Sequence, residues 1–178
     1  MKRLIFVVPA VLILSSCAAS GSAADPAKLD VPFGAEARIS YGGDECTAKI
    51  SRYGAGSWEF EITEPYALEG LTVTETDGKT TFSMLGAEST ADISPAAVSM
   101  TRAFSSAYDA AAAGGEVTYD SAGEPVFTGT SDTGRYRVKL GEDMTPTLIT
   151  SEECKLKAEI SSFGLLPEND ITAEIDRS

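Results

Sequence analysis

Histidine is absent from this 178-residue chain. With it go the commonest general base, the commonest metal ligand and every Ser-His-Asp or Cys-His catalytic arrangement. Basic residues are scarce, 14 Lys and Arg against 27 Asp and Glu, for a formal net charge of −13. Nucleic acids and anionic lipid surfaces reward basic patches, so the chain as a whole is not expected to lie on either. No apolar run is long enough to cross a bilayer: Leu4 to Leu14 has 11 residues with Pro9 inside it, against the roughly 20 that a spanning helix needs. Cysteine occurs three times, at Cys17, Cys46 and Cys154.

What the chain does have begins at its N-terminus. Lys2 and Arg3, the apolar run and the small residues ahead of Cys17 form the three-part pattern of an export signal. Leu14-Ser15-Ser16-Cys17 resembles the lipobox of bacterial lipoproteins. The resemblance implies lipidation of Cys17, cleavage just before it, and a mature chain held by that anchor on the extracytoplasmic face of a membrane. In a host with two membranes, Ala18 in place of a retaining aspartate implies the outer one. Residues 1–16 are then a signal peptide, whose removal leaves 162 residues and moves the charge from −13 to −15, since Lys2 and Arg3 leave with it. That length suits one domain with a real core. Cys46 and Cys154 remain as an even pair in an exported chain, which permits a disulfide and equally two buried free thiols. Neither has the neighbouring base that would make it a nucleophile.

Residues 17–32 are rich in Ala, Ser, Gly, Asp and Pro and read as a flexible acylated tether. From Phe33 the dominant signal is period-two alternation between turn residues, the mark of antiparallel strands with one buried face. Ala35, Ala37, Ile39 and Tyr41 share a face, and Cys46, Ala48 and Ile50 follow the Gly42-Gly43-Asp44 turn. Trp58, Phe60 and Ile62 then alternate with Ser57, Glu59 and Glu61, up to Glu64-Pro65. Asp77-Gly78 reads as a tight hairpin between strands at 71–74 and 80–84, the second carrying Phe82 and Met84. A short strand follows at 89–93. Ser94-Pro95 reads as a helix start, and Ala97, Thr101, Phe104, Tyr108 and Ala111 recur at helical spacing until Gly114-Gly115, predicting one helix over 95–113. Strands resume at 116–119, 126–130, 135–140, 147–150 and 154–160. Tyr136, Val138 and Leu140 alternate there with Arg135, Arg137 and Lys139, so one strand has a basic outer face. The expected fold is mainly β (α+β): a curved antiparallel half-barrel of about ten or eleven strands over residues 33–163, with the inserted helix and an acidic tail at 164–178.

Trp58-Glu59-Phe60-Glu61-Ile62-Thr63-Glu64-Pro65, Leu71-Thr72-Val73 and Asp77-Gly78-Lys79-Thr80 together resemble the LolA and LolB type of lipoprotein-sorting carrier. The resemblance covers residues 37 to 93 and is topological beyond them. It implies an open antiparallel barrel whose concave apolar face holds acyl chains beneath a helical lid. Two features depart from that family: no helix precedes the first strand, and no arginine lies in the aromatic strand, where the family uses one to hold the lid closed. The exposed apolar loop of a receptor-type member would fall at Tyr66-Ala67-Leu68, a stretch that reads as a packed turn.

Other motifs read as structure. Asp132-Thr133-Gly134 has the letters of an aspartic protease site, but Ser131 and Arg135 flank it and a hairpin turn is expected. Gly78-Lys79-Thr80 lacks the first glycine of a phosphate loop and begins a strand. Glu59, Glu61 and Glu64 form a solvated acidic face rather than a glycosidase pair or a calcium site. The chain is therefore expected to be a non-enzymatic binding protein of the cell envelope without cofactor or metal. Trp58, Phe60, Ile62, Phe82, Met84 and Tyr136 are the candidate lining for a lipid or other hydrophobic ligand. The other reading is a non-catalytic interaction or structural module with a filled core, whose protein partner the residues do not name.

Overall fold

The computed structural model describes residues 29–76, 78–92 and 100–167. They form eleven strands: β1 (Phe33–Tyr41), β2 (Asp44–Gly54), β3 (Ser57–Glu64), β4 (Thr72–Thr76), β5 (Lys79–Met84), β6 (Ala87–Asp92), β7 (Glu116–Tyr119), β8 (Pro125–Ser131), β9 (Gly134–Leu140), β10 (Pro146–Ser151) and β11 (Leu156–Leu165). One helix, α1 (Met100–Ala112), separates β6 from β7. The strands make one sheet in the order β6-β5-β4-β3-β2-β1-β11-β10-β9-β8-β7, antiparallel throughout. It is curved and unclosed, as expected of an antiparallel sheet this wide.

The central strands bury one face because their apolar residues fall at every second position. In β3, Trp58, Phe60 and Ile62 point inward while Ser57, Glu59 and Glu61 do not. The pairing β1–β11 brings the first and last strands together at the centre of the sheet. Register shifts at Gly34/Glu36, Thr47/Ala48, Arg52/Gly54 and Pro146/Leu148 interrupt the ladders. Such bulges bend a strand and sharpen its twist, which curls a wide sheet around its apolar face.

That face is filled by α1. Ala103, Ala107 and Ala111 are fully buried, so the helix backbone approaches the sheet closely, and Phe104 and Tyr108 enter the aromatic layer. Phe104 meets Trp58 and Phe60 edge-on at 5.8 and 5.6 Å between ring centres, and Tyr108 meets Trp58 at 5.4 Å. Each such pair adds about 0.5–1.5 kcal/mol beyond the area it buries. Gly114, at φ +126°, ends the helix.

The domain starts before the expected boundary. Leu29 is buried in the core and its carbonyl accepts a bond from Tyr108 Oη at 3.2 Å, so the stretch read as tether ends by that residue. At the other end β11 runs to Leu165, two residues into the expected tail, and Leu166 N–H donates to Pro32 O. The lipobox with Cys17, Asp77 of the hairpin turn, the Ser94-Pro95 helix start and residues 168–178 lie outside the described residues. Among the described residues no helix is long and apolar enough to cross a membrane.

Candidate functional site

The concave face is divided. Trp58, Phe60 and Tyr136 are buried beneath or beside α1, and none of the three lines the apolar pocket. Tyr136 closes over Gly129, its partner across β8 and β9, so closely that a Cβ on Gly129 would stand 2.6 Å from the tyrosine oxygen. Ile62 and Phe82 are different. With Tyr41, Cys46, Leu68, Leu71, Val73 and Met100 they line an apolar pocket of about 250 Å³ between strands β2 to β5 and the first described residues of α1. Met84, half-buried on β5, is not part of that lining.

Topology sets where the pocket opens. β3 ends at Glu64, β4 begins at Thr72 and β5 ends at Met84, so the β3–β4 and β5–β6 connections lie at the same end of the sheet. The β1–β2 turn joins them there, because Thr47 pairs with Glu64. This end carries the exposed apolar side chains Tyr66 (89 % exposed), Leu68 and Leu85 (96 % exposed). The loop read as a packed turn is thus an exposed one: a single 3₁₀ turn at Tyr66–Leu68 with no buried residue. Its backbone bonds are local, and Tyr66 is exposed. Leu85 sits at φ +52°, a region that β-unbranched residues other than glycine and asparagine seldom occupy. Asp44 and Glu45 complete the mouth with two carboxylates.

Polar residues fasten the helix over the rest of the face. Glu75 of β4 is buried and accepts hydroxyl bonds from Thr101 and Ser105, both at 2.6 Å. Those two residues stand one turn apart, on the same side of α1. Asp132, in the β8–β9 turn, is held by Ser106 and Arg102 of the same helix. Asp109 accepts from Arg52 Nε at 3.0 Å, from the Trp58 indole N–H at 2.9 Å and from the Gly56 amide at 2.9 Å. Arg52 is 1 % exposed. Its remaining nitrogens donate to Val31 O and Asp30 Oδ1, and its guanidinium lies 5.6 and 5.5 Å from the ring centres of Trp58 and Tyr108.

Arg52 is the residue that the alternation of β2 foretold and the sequence reading left out. Cys46, Ala48, Ile50 and Arg52 occupy successive inward positions, but a charge after three apolar residues reads as the end of a buried face. Arg52 fastens the helix from β2, directly across from Trp58.

Cys46 and Cys154 are both free thiols. β1 lies between β2 and β11, which keeps the two apart. Cys46 Sγ points at Met100 Sδ, 3.2 Å away, and Cys154 Sγ at Thr133 O, 2.9 Å away. Burial pushes the Cys46 thiol pKa up, which suits an inert wall of an apolar pocket. Among the described residues no group of three or more Cys, Asp or Glu side chains is placed to hold a metal. The site offers shape and apolar surface for binding.

No protein-family model matches the chain, and no curated protein matches it. Solved structures give weak likenesses over most of the chain. An uncharacterized conserved protein from Thermus thermophilus is 13% identical, with 81% of this chain and 85% of that one covered at a TM-score of 0.48. A LolA superfamily protein from Nitrosomonas europaea is 13% identical, with 82% and 92% covered at 0.47. A DUF1329 family protein from Desulfovibrio piger is 10% identical, with 82% and 95% covered at 0.43.

Proposed function

We propose that this chain is a non-enzymatic binding protein of the cell envelope, tethered through lipidated Cys17, that takes the apolar end of a lipid into the pocket between α1 and strands β2 to β5. The observation that carries this reading is the pocket: about 250 Å³, walled by Ile62, Leu71, Val73, Phe82 and Met100, at the one end of the sheet where Tyr66, Leu68 and Leu85 are exposed. An apolar cavity of about 150 Å³ already holds a benzene-sized guest. A pocket of this size therefore takes several carbons of an acyl chain, with the remainder leaving through the mouth. The exposed apolar residues at that mouth give the chain a surface on which a lipid or a membrane can rest while the tail transfers.

The resemblance of residues 37 to 93 to the lipoprotein-sorting carriers supports the same ligand class. The site differs in scale from a wide open barrel, because α1 already fills the centre. That filled centre also favours the second reading, a protein-interaction module that uses the Tyr66–Leu68 turn and Leu85 as contacts.

The test is ligand retention. Native mass spectrometry of the protein incubated with lysophospholipid is expected to show a stoichiometric adduct, lost in Phe82→Glu while the fold and melting temperature persist. Equal retention by the folded variant contradicts the lipid reading. Absence of any adduct favours the interaction module.

A further inference from the structure

The outer face of β9, β10 and β11 carries a second, unrelated site. A groove of about 510 Å³ runs along it, lined among others by Arg137, Lys139, Lys155, Lys157, Leu148 and Thr150. Four cations against the two carboxylates Asp120 and Glu152 leave the lining two positive charges in excess, in a chain whose net charge is −13.

The register shows how these groups are spaced. Thr150 pairs with Arg137 on one side and with Lys157 on the other. Neighbouring strands stand about 4.8 Å apart, so the two cationic residues start about 10 Å from each other with a threonine between them. That spacing keeps like charges from facing each other directly, which would destabilise the sheet. It also leaves room for one anionic group bridging both. Thr128 and Ser40 extend the row at either end, because they pair with Arg137 and Lys157. Lys155, in the β10–β11 turn, lines the groove beside them.

The cations differ in their engagement. Lys139 is held by Asp120 at 2.8 Å and Glu124 at 2.5 Å, and Lys157 by Glu159 at 2.7 Å. Among the described residues no carboxylate pairs with Arg137 or Lys155. In this acidic chain these two exposed cations converge on one groove whose carboxylates, Asp120 and Glu152, bond neither of them. We propose that the groove binds a phosphate group, with Arg137 and Lys155 as its principal charges and Lys157 and Thr150 completing the cradle. Arginine's planar fork engages two phosphate oxygens at once, and lysine adds a point charge. Leu148 and Val126 give the groove an apolar floor for the organic part of the molecule bearing the phosphate.

The shared chemistry is a phosphate ester, borne either by a lipid headgroup or by a soluble molecule. The full chain in neutral detergent is titrated calorimetrically with inorganic pyrophosphate and, separately, with micelles doped with phosphatidylglycerol or with phosphatidylcholine. Binding in at least one arm is expected, weakening at least tenfold in the Arg137→Gln/Lys155→Gln double variant and falling as salt is raised. Glu152→Gln is expected to tighten it. A response to phosphatidylglycerol alone assigns the group to a lipid, and a response to pyrophosphate alone assigns it to a soluble ligand. No binding in either arm, or a double variant that binds as tightly as the parent, overturns the proposal.

Discussion

Arg52 and Asp109 are 57 positions apart in the chain and meet at 3.0 Å, joining the second strand to the last turn of the helix. The pair is nearly dry on the arginine side, with Arg52 1 % exposed, and Asp109 also serves Trp58 and Gly56. Asp109→Ala removes the acceptor of three donors at once. Breaking one partner of a buried ion pair costs up to about 3–5 kcal/mol, and since Arg52 keeps its bond to Asp30 the loss here is expected at about 2–3 kcal/mol. Urea denaturation is expected to show a loss of that order, with α1 amides the first to exchange with solvent. A loss under about 1 kcal/mol would show that the contact is not what holds the helix down.

A second fastening responds to pH. Burial alone would raise the Asp132 carboxyl, but the Ser106 hydroxyl and the Arg102 guanidinium outweigh it and hold its pKa below the usual aspartate range. A carboxylate depressed in the folded state adds stability that is complete above its unfolded pKa, near 3.9, and is lost as pH falls through the folded value. Stability is therefore expected to decline below about pH 4, and Asp132→Asn is expected to be less stable at neutral pH and to lose part of that decline. Parallel pH–melting curves for the two proteins would contradict the assignment.

How much of this could be read beforehand depends on what each feature needs. Strands such as β1, β3 and β9 announce themselves by alternation, since each buries one face, and Phe104 and Tyr108 mark the helix by their spacing of four. The division of the concave face could not be read. Phe60 and Ile62 are neighbours on the same inward face of β3, yet one lies under Phe104 and the other lines the pocket. Only the path of α1 across the sheet separates them, and no local pattern encodes it. The same is true of Arg52, whose partner lies in another element, and of the outer groove, where β9 announces its basic face but not its alignment with Lys155 and Lys157.

The two thiols distinguish the pocket from the rest of the surface. Cys46 lines it and Cys154 does not. Burial raises the Cys46 pKa, so its alkylation is expected to be slow near pH 8 and to keep accelerating above the range, about 8.5, where a free thiol levels off. Lysophospholipid is expected to slow Cys46 further and leave Cys154 unchanged, as read by mass spectrometry of the labelled peptides. Equal protection of both thiols would place the ligand elsewhere.

Gly129 tests the closed part of the face. A methyl group there would meet Tyr136 Oη at 2.6 Å and its ring carbons at 2.9 and 3.1 Å. Gly129→Ala is expected to cost about 1–3 kcal/mol through overpacking, measured by thermal melting. Tyr136→Phe in the same background is expected to recover part of the loss. An alanine variant as stable as the parent would mean that Tyr136 does not close over this strand.

The most direct measurement is photocrosslinking of the full-length protein with a diazirine-bearing fatty acid, the sites of attachment read by peptide mass spectrometry. Attachment at Ile62, Leu71, Phe82 or Met100, abolished by Val73→Trp in a variant that melts like the parent, is the result this account predicts. Attachment confined to Tyr66, Leu68 and Leu85, or unaffected by filling the pocket, would show that lipid touches the end of the sheet without entering it.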